Sequence, residues 1–171
     1  DVTPAWAGAR QPGAEQAPRS YQLWESLGED ATTMVLGSAY FSILSAGGRL
    51  QPHCGPTNLR LRVHIGLAVP TGERAAIRVG NETRPWREGQ AFAFDDSFEH
   101  EVWNNGDSPR LVFIFDVWHP QLRTDAERTE ALRGDSVGTQ RYLAAREALR
   151  MGAGLLPEPD LVADRRKRVI Y

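Results

Sequence analysis

Between Thr33 and Pro120 the chain reads as short runs in which apolar and polar positions alternate. In "LRLRVHIG" Leu59, Leu61, Val63 and Ile65 share one side, with Arg60, Arg62, His64 and Gly66 on the other. Successive side chains of a strand point to opposite faces, so this is a strand pattern. "RLVFIFDVWH" repeats it, with Leu111, Phe113, Phe115 and Val117 against Arg110, Val112, Ile114 and Asp116. "FEHEVWN" puts Phe98, His100 and Val102 together. "TMVLGSAYFSIL", "AAIRVG" and "QAFAFDD" are further runs rich in β-branched and aromatic residues. Clusters of turn residues ("SAGG", "PTGE", "NETRP", "REG", "NNGDS") separate them. Short strands at such spacing predict an antiparallel sandwich or barrel.

The pattern changes at both ends. Residues 1–20 are rich in Pro, Gly and Ala and read as an irregular lead-in. "YQLWESLG" predicts a short helix stopped by Gly28. After Gln121 the period becomes helical: "TDAERTEALRG" opens on a capping box, Thr124 with Glu127, and "TQRYLAAREALRMG" continues it. The expected organisation is a single domain over 1–171, with a β core over 33–120 and a helical extension over 121–171. The terminal "DRRKRVIY" reads as a solvated basic tail.

Composition narrows the classes. A chain of 171 residues suits one domain with its own core. The net charge of -2 gives no field for nucleic acid. The single cysteine, Cys54, allows no internal disulfide and favours a reducing compartment. No apolar run reaches the ~18 residues of a bilayer span, and no secretory signal is recognised, so a cytoplasmic location is expected. The sequon Asn81–Thr83 then has little meaning.

The chemistry hangs on a few side chains. The face carrying Arg60, Arg62 and His64 is either a solvated outer surface or an interior anion pocket, since guanidinium matches carboxylate. Arg110 shares its side with Val112 and Ile114, so it either snorkels at a strand end or meets an anion. His100 looks inward. Cys54 points away from the face of its neighbour His53. Asp116 and His119 are expected to make strand-end hydrogen bonds. His53 stands two residues before Gly55, where many mononuclear iron enzymes carry an acid. That spacing describes a metal site lacking one ligand, or no metal site.

Three segments, "HCGPTNLRLRVHIGL", "VGNETRPWREGQAFAFDDSFEHEVWN" and "RLVFIFDVWHP", together resemble the aspartyl/asparaginyl β-hydroxylase family of iron(II)- and 2-oxoglutarate-dependent oxygenases. The resemblance covers about Tyr40 to Pro120. It implies an all-β double-stranded β-helix (jelly roll, cupin-like) with flanking helices. It also implies that His53 and His100 hold Fe(II) without a protein carboxylate, that water takes the acid's place, and that Asp96 accepts from that water. Arg110 would pair with the distal carboxylate of 2-oxoglutarate, helped by Ser42 and Arg62, while Arg60 and His64 would face a substrate carboxylate. Tyr40 replaces a lysine of the animal members, and Trp6 and Trp24 are candidates for a substrate-gripping tryptophan.

The implied reaction consumes 2-oxoglutarate and O2 and hydroxylates an unactivated C–H bond. The implied target is the β-carbon of Asp or Asn in an acidic peptide, protein or small molecule. Three alternatives accompany it: a lipid acyl-chain hydroxylase of the same family, a halogenase with chloride beside Gly55, and a non-catalytic jelly roll that holds an organic acid. No nucleic-acid partner and no membrane segment are expected.

Overall fold

The computed structural model describes residues 16–150, so most of the lead-in, Trp6 and the basic tail lie outside the described residues. Eight strands form two four-stranded antiparallel sheets. The first runs β1 (Ala39–Leu44), β8 (Arg110–Trp118), β3 (Arg60–Ala68), β6 (Ala91–Phe94). The second runs β2 (Arg49–His53), β7 (His100–Asn104), β4 (Ala75–Val79), β5 (Glu82–Pro85). The chain crosses repeatedly between the sheets, and this order is the double-stranded β-helix, or jelly roll.

Alternation sets the layers. Ala75, Ile77 and Val102 of the second sheet pack with Val112 and Ile114 of the first, and Trp86 joins them. β8 and β3 present Phe113, Phe115, Val63 and Ile65 outward, where Trp24 and Ala31 cover part of them. Trp24 lies on α1 (Pro18–Ser26) and Ala31 on α2 (Glu29–Thr32). The first helix starts earlier than its apolar pattern because Pro18 suits the first turn, where its missing N–H breaks no helical bond. The capping box opens α3 (Asp125–Ala131) as predicted, and Tyr142 of α4 (Ser136–Arg150) packs with Leu132 and Trp118. No described helix is long and apolar enough to cross a membrane.

Two strands have no clear alternation in the sequence, β2 and β5. "NETRP", taken as a turn, contains β5, and "RLQPH" forms β2 despite Pro52. Both are end strands of the second sheet, bonded along one side only, where proline is tolerated. Pro52 falls in the register irregularity between Leu50 and His53. Phe98 also departs from its expected inward place: β7 starts only at His100, and Phe98 is 61% exposed.

Candidate metal and anion site

His53 ends β2 and His100 opens β7, and the two residues are direct partners in the ladder. Their ring centroids lie 4.2 Å apart, tilted by 53°. The Nδ1 of His53 sits 2.7 Å from the Gln51 carbonyl, and that of His100 sits 2.9 Å from the Phe98 carbonyl. A carbonyl only accepts, so each Nδ1 carries a proton, and the neutral tautomer of each ring that fits this bond has its lone pair on Nε2. Burial, and then the neighbouring His53, lower the His100 pKa against the opposing pull of the Phe98 carbonyl. Two imidazoles set side by side suit a divalent transition metal. Among the described residues no group of three His, Cys, Asp or Glu side chains is placed to hold a metal ion. The imidazole pair is the candidate donor set. Cys54 is exposed.

Gly55 has a structural cause. A Cβ built there would lie 2.4 Å from Oδ2 of Asp96 and 2.5 Å from its Cγ. The Gly55 amide donates to the Asp96 carbonyl, so the two backbones are tied together. The place of a side chain at 55 is thus filled by the carboxyl group of a residue 41 positions later, as the numbering of the two residues gives.

Asp96 is fully buried and belongs to a set of four charges. Arg60 donates from Nη2 to its Oδ2 at 2.7 Å and from Nε to its Oδ1 at 3.3 Å. Arg62 grips Asp116 with Nε at 2.8 Å and Nη2 at 3.0 Å, and its Nη1 lies 3.3 Å from Asp96. Arg60 Nη1 also donates to the Leu36 carbonyl and lies 3.2 Å from Asp116. Two cations and two anions cancel, which makes their common burial tolerable. Arg60, expected to face a substrate carboxylate, sits inside this set. It is 5% exposed, and all three of its guanidine nitrogens are engaged by Asp96 and the Leu36 carbonyl. Asp116, expected to make a strand-end hydrogen bond, faces the interior, with its carboxylate also accepting from the Ser38 amide at 2.9 Å. Its place on the Arg110–Ile114 face was visible in the alternation.

Arg110 is different. It is 1% exposed, and no carboxylate among the described residues pairs with it. Its Nη2 donates to Ser42 Oγ at 2.9 Å, its guanidinium lies 4.7 Å from the Trp86 ring centroid, and its Nε has no partner. Burial lowers its pKa to about 10, partly offset by Tyr40. Tyr40 itself lies on the interior face near Arg62, at 5.9 Å. His64 is the second orphan. Trp86 Nε1 donates to its Nδ1 at 3.2 Å, so the neutral ring carries its proton on Nε2, which is buried and unpartnered. Burial, and then the charges of Arg62 and Arg110, hold its pKa well below the ordinary histidine value. His64, expected to face a substrate carboxylate, lies near Arg110, and Trp86 contacts both. Trp86, which orders both Arg110 and His64, had no signal in the sequence beyond being an aromatic after a turn.

The jelly roll thus brings paired imidazoles to one place and buried donors without a partner among the described residues to another. Residues 5–120 match the family described as Aspartyl/Asparaginyl beta-hydroxylase, and the chain belongs to that family. It is 49% identical over 113 residues to the mouse "Aspartyl/asparaginyl beta-hydroxylase", covering 66% of this chain and 15% of that protein. It is 43% identical over 126 residues to the mouse "Aspartate beta-hydroxylase domain-containing protein 1", covering 71% of this chain and 34% of that one. The chain thus spans between about a seventh and a third of the length of these relatives. Among solved structures, a Cupin 2 conserved barrel domain protein from Salinispora arenicola CNS-205 aligns with a TM-score of 0.39 and 15% identity, over 63% of this chain and 70% of that chain.

Proposed function

We propose that the protein is an Fe(II)- and 2-oxoglutarate-dependent hydroxylase acting on the β-carbon of Asp or Asn in an acidic substrate. The observation that carries this is Arg110, a buried cation whose side-chain hydrogen-bond partner among the described residues is a hydroxyl, that of Ser42. Such a charge is stable when a ligand brings the anion. Ser42, Arg110 Nε and His64 Nε2–H supply donors for one carboxylate of a dicarboxylic acid. The imidazoles of His53 and His100 fit a divalent iron, whose chemistry when bound would be the activation of dioxygen for attack on a C–H bond.

The chain's own residues do the rest. Gln51 and Phe98 fix the tautomers of the two imidazoles through their carbonyls. Asp96, held on two arginines, keeps a carboxylate beside Gly55 and can accept from water there. Trp86, Phe92 and Phe94 surround His64 and keep bulk water from the donors. The test is calorimetric titration of 2-oxoglutarate with Mn(II) present, followed by aerobic turnover with Fe(II) and Asp-containing peptides. The expected results are binding lost in Arg110→Ala and succinate formed together with a peptide heavier by one oxygen. Unchanged 2-oxoglutarate binding in Arg110→Ala would remove the proposal.

A further inference from the structure

With Arg60 braced against Asp96 and His64 deep beside Trp86, neither side chain is available to select a substrate. A different cation is. Arg84 pairs across the ladder with Ile77, a core residue, so its side chain leaves β5 on the interior side of the second sheet. Its guanidinium lies 5.8 Å from the centroid of the Phe92 ring. No carboxylate among the described residues is paired with it.

Arg84 lines a notch of about 390 Å³ between β5 and β6, together with Arg87, Gln90 and Phe92. Arg87 is held by Glu73 on the outer surface, which leaves Arg84 as the uncommitted charge of the notch. Both flanking strands are end strands, β5 of one sheet and β6 of the other. End strands carry unpaired backbone N–H and C=O groups, the template on which an extended peptide adds. Phe92 is a wall shared with the anion site: its ring centroid lies 5.7 Å from that of His64 and 6.2 Å from that of Phe94. Phe94 in turn lies 5.4 Å from the ring of His100. A row of aromatic rings therefore connects the notch with the imidazole pair.

We infer that this notch is the specificity subsite for an extended acidic polypeptide, with Arg84 gripping a carboxylate near the residue to be modified. The inference rests on the hydroxylase reading for the reaction, but not for the binding. Arg84 selects by charge, Phe92 fixes the guanidinium by stacking, and the strand edges accept any backbone. This division gives one preference, an acidic neighbour, without requiring a longer sequence motif.

The experiment uses the full chain and short fluorescein-labelled peptides containing one Asp flanked by Glu, or the same peptides with Gln for Glu. Binding is read by anisotropy without metal and again with Mn(II) and 2-oxoglutarate. The expected result is that the wild-type protein prefers the Glu peptide and that Arg84→Ala weakens it by about tenfold. Arg84→Lys recovers part of the loss, and Arg133→Ala, a remote surface change, leaves binding as it was. The 2-oxoglutarate affinity stays the same in all of these variants. Equal peptide binding by wild type and Arg84→Ala overturns the inference, as does a wild type that binds neither peptide. Weakened 2-oxoglutarate with unchanged peptide binding assigns the notch to the cosubstrate and overturns it too. Because the binding arm needs no turnover, it reads the notch even if the hydroxylase reading fails.

Discussion

A Cβ on Gly55 would lie 2.4 Å from Oδ2 of Asp96, closer than real Cβ contacts come. The glycine that stands where an acid is common in iron sites is thus a packing requirement of this barrel. Asp96 cannot retreat easily, because Arg60 and Arg62 hold its carboxylate. Gly55→Ala should therefore destabilise the protein by ~1–3 kcal/mol, the usual range for overpacking a tight interior. Gly55→Asp should be worse, since it adds a like charge beside Asp96. Urea unfolding of both variants checks this. Wild-type stability in Gly55→Asp would show that a third protein ligand has room.

The burial of the Arg110 charge predicts a trade between stability and binding. In the ligand-free protein its charge is buried with one hydroxyl for a partner. Replacing it with an unbranched apolar side chain removes that desolvated charge. Arg110→Met should raise the stability of the ligand-free protein by ~1–3 kcal/mol and abolish 2-oxoglutarate binding. Thermal unfolding with and without 2-oxoglutarate measures both at once. A less stable Arg110→Met would show that the guanidinium is satisfied without a ligand.

The jelly roll was legible because its central strands, β3 and β8, alternate cleanly: Arg60, Arg62, His64 and Arg110, Val112, Ile114, Asp116 all face inward. The end strands β2 and β5 were not, since an edge needs neither continuous alternation nor freedom from proline. The resemblance placed the histidine pair and Asp96 together with the arginines. It could not say which arginine has a spare donor, because that depends on partners brought from far along the chain. Asp116 neutralises Arg62 and Asp96 neutralises Arg60, whereas Arg110 and Arg84 receive no acid from among the described residues. Glycine at 55 is the same kind of case, its cause being a contact and not a local preference.

The helical extension predicts a pH dependence of its own. Tyr142 donates to Asp125 Oδ1 at 2.5 Å, and Arg146 Nη2 lies 2.8 Å from Oδ2. The Tyr142 bond, followed by Arg146, holds the Asp125 pKa below the usual carboxylate value. A lowered folded value gives stability that is present above about pH 4, the unfolded range, and is lost as pH falls through the folded value. Burial, and then the same bond, raise Tyr142 to about 12. A raised value gives stability that is present below about pH 10 and lost as pH climbs towards the folded value. The difference in stability between wild type and Tyr142→Phe should therefore be widest between those limits and narrow on both sides. Urea midpoints across the pH range test it. A difference independent of pH would mean that the bond contributes packing only.

Trp86 is the hinge between stability and ligand binding at the anion site. Its Nε1–H fixes the His64 tautomer, and its ring faces the Arg110 guanidinium at 4.7 Å. Trp86→Phe keeps an aromatic ring but removes the donor, so His64 Nδ1 loses its partner and the ring can place its proton on either nitrogen. Only the Nε2–H form offers a donor inside the barrel. The lost hydrogen bond should lower stability by ~1 kcal/mol, with more from the smaller ring. The 2-oxoglutarate affinity should fall about fivefold to tenfold, because part of the population now points a lone pair at an anion. Calorimetry on the folded variant, with ¹⁵N NMR of the His64 ring to report its tautomer, separates this from simple loosening. If the ring stays in the Nε2–H form and affinity still falls, the effect runs through Arg110 and the stacking contact. If affinity is unchanged while the tautomer shifts, His64 makes no bond to the ligand, and Ser42 and Arg110 hold the carboxylate alone.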